Sequence, residues 1–194
     1  MGVAALLAGC ANPGSVPPVK HYVMTDLSPA QPVAAVPLAR VLAVAGGNDD
    51  AFYDGDSLVF SREPGQRGLY QFAAWTDRPS RRLASLAQHR LEARGRFAAV
   101  SGTTAGVNAD LVLNLNLAAL YHDLTAKPAV ARVELTAELV DWRSRALLGR
   151  RSFAIAVPVA SEDATGAVAA MNRGITGILD TLMPWVEDSA AAPR

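Results

Sequence analysis

Two runs in the second half of this chain follow the same alternating pattern. Leu111, Leu113, Leu115 and Leu117 alternate with Val112, Asn114, Asn116 and Ala118, and Val133, Leu135, Ala137 and Leu139 alternate with Glu134, Thr136 and Glu138. A period of two sends successive side chains to opposite faces of a β-sheet. One face is therefore a row of aliphatic side chains, and the other carries amides and carboxylates. Residues 121–129 join the runs through Pro128, as expected of a long antiparallel hairpin. A sheet that is apolar on one side must be covered there by another layer, and this requirement narrows the fold more than any other feature.

Other segments supply the rest of that sheet and its cover. His21–Thr25, Leu38–Ala45, Ser57–Arg62, Leu69–Trp75 and Leu147–Val157 read as strands, with Glu63-Pro64-Gly65 as a hairpin turn. Leu83, Leu86, Ala87, Leu91 and Phe97 recur near helical spacing after Pro79, which suits a first helical turn. Arg81, Arg82, Arg90 and Arg94 lie off that stripe and are expected in solvent. A longer stripe from Ala164 through Met171, Ile175, Leu179 and Leu182 to Val186 marks a second helix over 163–186. Gly166, Gly174 and Gly177 weaken it by roughly 1 kcal/mol each relative to alanine and allow close packing on the sheet. The expected architecture is α+β: a two-layer sandwich of about six mostly antiparallel strands, covered by helices at 79–95 and 163–186.

Before the domain stands Leu6-Leu7-Ala8-Gly9-Cys10, which holds the single cysteine of the chain. An apolar run, two small residues and a cysteine form a lipobox, at which bacterial lipoproteins are cleaved and the thiolate is alkylated by diacylglycerol. Nine residues precede Cys10 and none is basic, so residues 1–9 are expected to be the end of a longer signal peptide. Residues 10–20, with Pro13, Gly14, Pro17 and Pro18, read as an extended lipidated tether. The domain is expected over 21–188, with a frayed tail at 189–194. The only prosthetic group expected is the lipid on Cys10.

Lys plus Arg and Asp plus Glu both number 18, a balance that argues against nucleic acid as a partner. With Cys10 acylated, neither a disulfide nor a cysteine-based zinc site is available. The nucleophile elbow, zincin, Walker and dinucleotide motifs are all missing. His21, His89 and His122 are far apart in sequence, and His122-Asp123 reads as a hairpin end. Asn48, Asp49, Asp50, Asp54 and Asp56 lack the spacing of a calcium loop and read as turn residues. Ser101–Gly106 has no following lysine and reads as a plain loop. The chain offers no catalytic anchor and no metal site.

The stretch Tyr53–Arg62, then Leu69-Tyr70, then Trp75-Thr76-Asp77-Arg78-Pro79, resembles the ABC-type transport auxiliary lipoproteins, the relatives of paraquat-inducible protein C. That family has a lipobox, an early tyrosine-bearing strand, an aromatic-Arg strand, and a Trp before a leucine-rich helix. Element order matches over nearly the whole mature chain, and the specific part is residues 53–83. The resemblance implies a non-enzymatic lipoprotein on the periplasmic face of the outer membrane. Its implied partners are an MCE-domain membrane protein and ABC transporter subunits, its implied cargo is phospholipid, and a homo-oligomer is compatible with it. Ala11 in place of Asp after Cys10 favours outer-membrane delivery. The resemblance marks Tyr22, Phe60, Arg62, Tyr70 and Trp75 as partner-binding or framework positions. The face bearing Asn114, Asn116, Glu134 and Glu138, or a strand edge, is expected to meet the partner. Three other readings stay open: a periplasmic lipid shuttle, a lipopolysaccharide-assembly lipoprotein, and, least favoured, a hydrolase.

Overall fold

The computed structural model describes residues 16–28, 32, 36–48, 51–103 and 106–192. Eight strands are found: β1 (Lys20–Tyr22), β2 (Leu38–Asn48), β3 (Ser57–Ser61), β4 (Gly68–Trp75), β5 (Phe97–Gly102), β6 (Leu111–Asp123), β7 (Val130–Asp141) and β8 (Leu147–Pro158). They form one sheet with helices α1 (Pro79–Arg94) and α2 (Ala164–Ala191) on a single face, the two-layer α+β sandwich expected. The two longest ladders, β6–β7 and β7–β8, are antiparallel, as is β3–β4. The pairs β1–β4, β2–β5, β2–β6 and β3–β6 are parallel.

The alternating rows set this arrangement. Leu111, Leu113, Leu115, Leu135 and Leu139 are at most 1% exposed, because their face lies beneath the helices. α1 packs on β2 and β5, and α2 packs on β7 and β8. The opposite face, with Asn114, Asn116, Thr136 and Glu138, is half-buried, and near Asn114 it forms a hollow of about 410 Å³ with Val107, Asn108, Ala109 and Trp142. One edge of β6 takes two partners in succession. β2 pairs along Leu111–Leu117, and β3 follows beside His122 and Asp123.

Four expectations are corrected. Phe97 ends no helical stripe: Gly95 takes a left-handed conformation (φ 66°) that stops α1, and Phe97 opens β5. The first strand stops at Tyr22, because the backbone beyond it turns to α2. Thr25 N–H donates to Asn172 Oδ1 (3.1 Å) and Leu27 N–H to Thr176 Oγ1 (2.8 Å). The second helix continues past Pro184 to Ala191, so half of the expected frayed tail is helical. Arg90 is not solvated; it is 5% exposed. Its Nε and Nη2 donate to the two carboxylate oxygens of Asp26 at 2.7 and 2.6 Å, and Nη1 reaches Asp180 at 2.5 Å. A planar guanidinium suits such a bidentate grip. Arg94 likewise holds Glu187 of α2 with two nitrogens.

Two glycines of α2 behave differently. A Cβ on Gly174 would lie 3.0 Å from Val133, so this glycine does bring the helix close to the sheet. A Cβ on Gly166 would stand 2.2 Å from the Ser161 carbonyl oxygen, so this one serves the helix entry instead.

Substitution Asp26→Ala strands the buried Arg90 charge with only the half-exposed Asp180. We expect a loss of about 3 kcal/mol in urea unfolding, the low end for a broken buried pair. Leu115→Ala is expected to cost about 2–5 kcal/mol in the same measurement.

Candidate functional site

The sheet has one end where the chain enters it and three connections gather. β1 lies alongside β4 with Lys20 opposite Ala73 and Tyr22 opposite Trp75. The residues before Lys20 therefore run toward Tyr70, and an open groove of about 390 Å³ lies there, lined by Pro17, Lys20, Tyr22, Tyr70, Asp163 and Thr165 among others. The turn after β3 sits beside the turn after β6, since Phe60 pairs with His122 and Leu124 N–H donates to the Ser61 carbonyl (2.9 Å). The start of α2 closes the same end. Its Asp163 side chain accepts from Gly166 N–H at 2.7 Å, an ordinary N-cap.

The fold brings the sequence-marked residues together at this end. The Tyr22 and Thr165 hydroxyls lie 3.0 Å apart and join β1 to α2. Phe60 and Tyr70 pack edge to face at 5.1 Å, and the exposed Arg62 guanidinium lies 4.9 Å from the centre of the Phe60 ring. Trp75 stands apart in role. It is 4% exposed within the core cluster, and its backbone N–H donates to the Asp56 carbonyl, so it serves the framework. Cys10, and with it the lipobox, lies outside the described residues.

Several residues of this end were not singled out from the sequence. Tyr70 and His122 Nδ1 are 2.7 Å apart with stacked rings, and His122 is fully buried with Nε2 unpartnered. The signal for its burial is a phase shift. The β6–β7 register slips between Leu117 and Ala119, so Leu120 and His122 take over the core face from the odd-numbered leucines. Arg67 donates through Nε to Tyr53 Oη (2.7 Å) and lies over the Tyr121 ring at 4.0 Å.

Burial pushes the Tyr70 hydroxyl above its ordinary value, helped by the Asp163 carboxylate and opposed by Arg62. Burial lowers the His122 imidazole, against the pull of Glu162, Asp163 and Asp123. Burial alone would raise Asp123. The Thr125 hydroxyl, Arg132 and the Thr125 N–H outweigh it and hold this carboxyl at about 2. A neutral buried imidazole beside a neutral phenol is a packing and hydrogen-bonding pair that joins β6 to β4. Of the acidic turn, Asp54 accepts from Ser80 N–H at 2.9 Å and caps α1, whose own preceding residue Arg78 makes no side-chain cap. Asp49 and Asp50 lie outside the described residues.

The direction of the His122 shift fixes a pH dependence. Its folded value lies below the unfolded one, near 6.5, so the unfolded chain binds the extra proton. The stability it contributes is whole above about pH 6.5 and is lost as pH falls toward the folded value. We expect the urea midpoint to decline from pH 7.5 to 5.5, and the decline to be shallower in His122→Leu. Asp123, held at about 2, follows the same order at lower pH: its contribution is present above pH 3.8 and is lost as pH falls toward 2.

Comparisons with known proteins agree with this architecture. No curated protein matches the chain. A crystal structure of a Xanthomonas campestris protein assigned to the DUF330 family superposes with a TM-score of 0.77 at 23% identity, covering 88% of this chain and 96% of that one. A hypothetical protein from Chlamydia trachomatis superposes with a TM-score of 0.56 at 9% identity, covering 80% of this chain and all of that one. At these identities the likeness establishes the fold. The family described as ABC-type transport auxiliary lipoprotein component matches residues 22–182, which takes in β2 to β8, α1 and most of α2. The chain therefore belongs to the ABC-type transport auxiliary lipoproteins, a family of transport accessories and not an enzyme class.

Proposed function

We propose that this protein is an outer-membrane lipoprotein that docks an MCE-domain intermembrane lipid-transport system and does not itself carry lipid. The observation that carries the reading is the one-sidedness of the sheet. Its helix-covered side is closed by fully buried Leu42, Leu58, Leu111, Leu113, Leu115 and Met171, which leaves this layer to packing and not to cargo. Its other side bears Asn114, Asn116, Thr136 and Glu138 and packs against neither helix, a polar surface suited to a protein partner. The lipid shuttle needs an apolar cavity between helices and sheet, whereas the opening of about 640 Å³ between α1 and β2 is lined by Asp54, Arg78, Ser80, Arg81 and Gln88 and is too polar for that cargo.

Geometry also supports the anchoring part of the reading. The first described residue, Val16, lies six residues from Cys10, so lipid on Cys10 would hold Val16 within about 20 Å of the bilayer, on the side of the sheet where β1 begins. Two or three acyl chains on one cysteine would satisfy the need for more than one membrane signal.

Affinity capture from native membranes in mild detergent, with proteins and lipids identified by mass spectrometry, tests this proposal. An MCE-domain protein is expected in the eluate, at least about tenfold reduced in Cys10→Ala. Bound lipid without that partner would favour the shuttle. Recovery of lipopolysaccharide-assembly proteins in its place would favour the other envelope role.

A further inference from the structure

The polar face of the sheet dips beside Asn114, where the hollow of about 410 Å³ has an apolar floor of Ala43, Ala45 and Val112. Trp142 and Val107 line it as well, and both are large apolar side chains left about half exposed, at 48% and 52%. Thr103, Asn108 and Asn114 supply its polar groups, and no lining residue carries a charge. Among the described residues, neither the Asn108 nor the half-buried Asn114 amide bonds to another protein group. Ser101, opposite Ala43 in the β2–β5 ladder, adds a buried Oγ without a partner. Groups of this kind are left for water or a ligand to satisfy.

The rim is braced. Trp142 N–H donates to the Asp110 carbonyl (2.9 Å), which ties the β7–β8 turn to the segment carrying Val107 and Asn108. The Asp110 carboxylate accepts from Val41 N–H through Oδ2 (2.9 Å) and pairs with Arg143 at 3.1 Å. Arg145 takes a left-handed backbone (φ 58°), which favours glycine and asparagine, and its guanidinium lies 4.1 Å from the centre of the Trp142 ring. Non-glycine residues held in that region cluster at ligand clamps. An indole fixed in advance costs little entropy on binding.

We propose that this hollow binds a neutral sugar unit of a glycan, with the Trp142 indole against the C–H face of the ring and Asn108, Asn114 and Thr103 bonding its hydroxyls. A pyranose has an apolar ring face bordered by hydroxyls, each both donor and acceptor, and a primary amide is likewise both. The uncharged lining disfavours a phosphate or an acidic sugar. An acyl chain would leave the amides and the Ser101 hydroxyl unpaired. A peptide offers one backbone donor and one acceptor per residue, fewer than these side chains present together. The volume falls near the lower end of the range for small-ligand sites, about 300–1,000 Å³. Asn116, Thr136 and Glu138 do not line the hollow, and the inference stands independently of the transport reading.

The full chain carrying Cys10→Ala is screened on a panel of neutral and acidic oligosaccharides. It is then titrated with the best binder, and with maltotriose and chitotriose in every case, by nitrogen–proton correlation NMR. A neutral oligosaccharide is expected to shift the Trp142 indole N–H and the Asn108 and Asn114 side-chain amides, with a Kd of about 0.1–1 mM. Trp142→Ala and Asn114→Ala are each expected to weaken binding at least about tenfold, with the signals of the core unchanged. Arg81→Ala, on α1, is expected to leave it unaltered. Absence of binding to any glycan at about 10 mM would overturn the proposal. So would binding of acidic glycans alone, affinity indifferent to Trp142→Ala, or the same signals responding to a partner's peptide and to no sugar.

Discussion

The packing of the β6–β7 aliphatic rows beneath α1 and α2 is the constraint on which the rest of this structure depends. Among the described residues β6 alone has three partner strands: β7 along one edge, and β2 then β3 along the other. Shift its register by one residue and Leu111, Leu113, Leu115 and Leu117 turn to the open face while Asn114 and Asn116 enter the core. The amides would then lack partners beneath the helices, so the register is strongly specified.

Around this core the chain is fastened by buried polar contacts. Residues 23–28 make no ladder; they run across the helix layer and are held by Asn172 and Thr176 of α2 and by Arg90 of α1. The stretch that follows the proposed lipid tether is thereby locked to both helices. Asp54, from the turn after β2, caps α1, and Asp163 caps α2. The aromatic–basic end formed by Tyr22, Phe60, Arg62 and Tyr70 is thus built on rigid elements, with the His122–Tyr70 contact joining β6 to β4.

Much of this was legible in the sequence, for physical reasons. The period-two rows, the helical stripes and the turn signals are local patterns, and they yielded the α+β class and most element positions. β5 was missed because Phe97-Ala98-Ala99-Val100-Ser101-Gly102 carries small residues with little alternation, and Phe97 fell in phase with the preceding stripe. Arg90 was misjudged because its burial depends on carboxylates 64 and 90 residues away, which no local pattern encodes. The grouping of Tyr22, Phe60, Arg62 and Tyr70 came from resemblance, and the topology supplied the reason: parallel β1–β4 and β3–β6 pairs bring distant strands to one end. His122 could have been read from the change of phase after Leu117.

On the proposed reading, this accessory acts by binding through the polar face of its sheet, with the helix-covered face given to packing. The most direct test of that claim is site-specific photo-cross-linking in intact envelopes, with the probe at Asn116 in the middle of the open face and, as a comparison, at the exposed Arg81 on α1. The account predicts an adduct with the MCE-domain transport protein from position 116 and none from position 81. Adducts from position 81 alone would place the partner on the helix layer and contradict it.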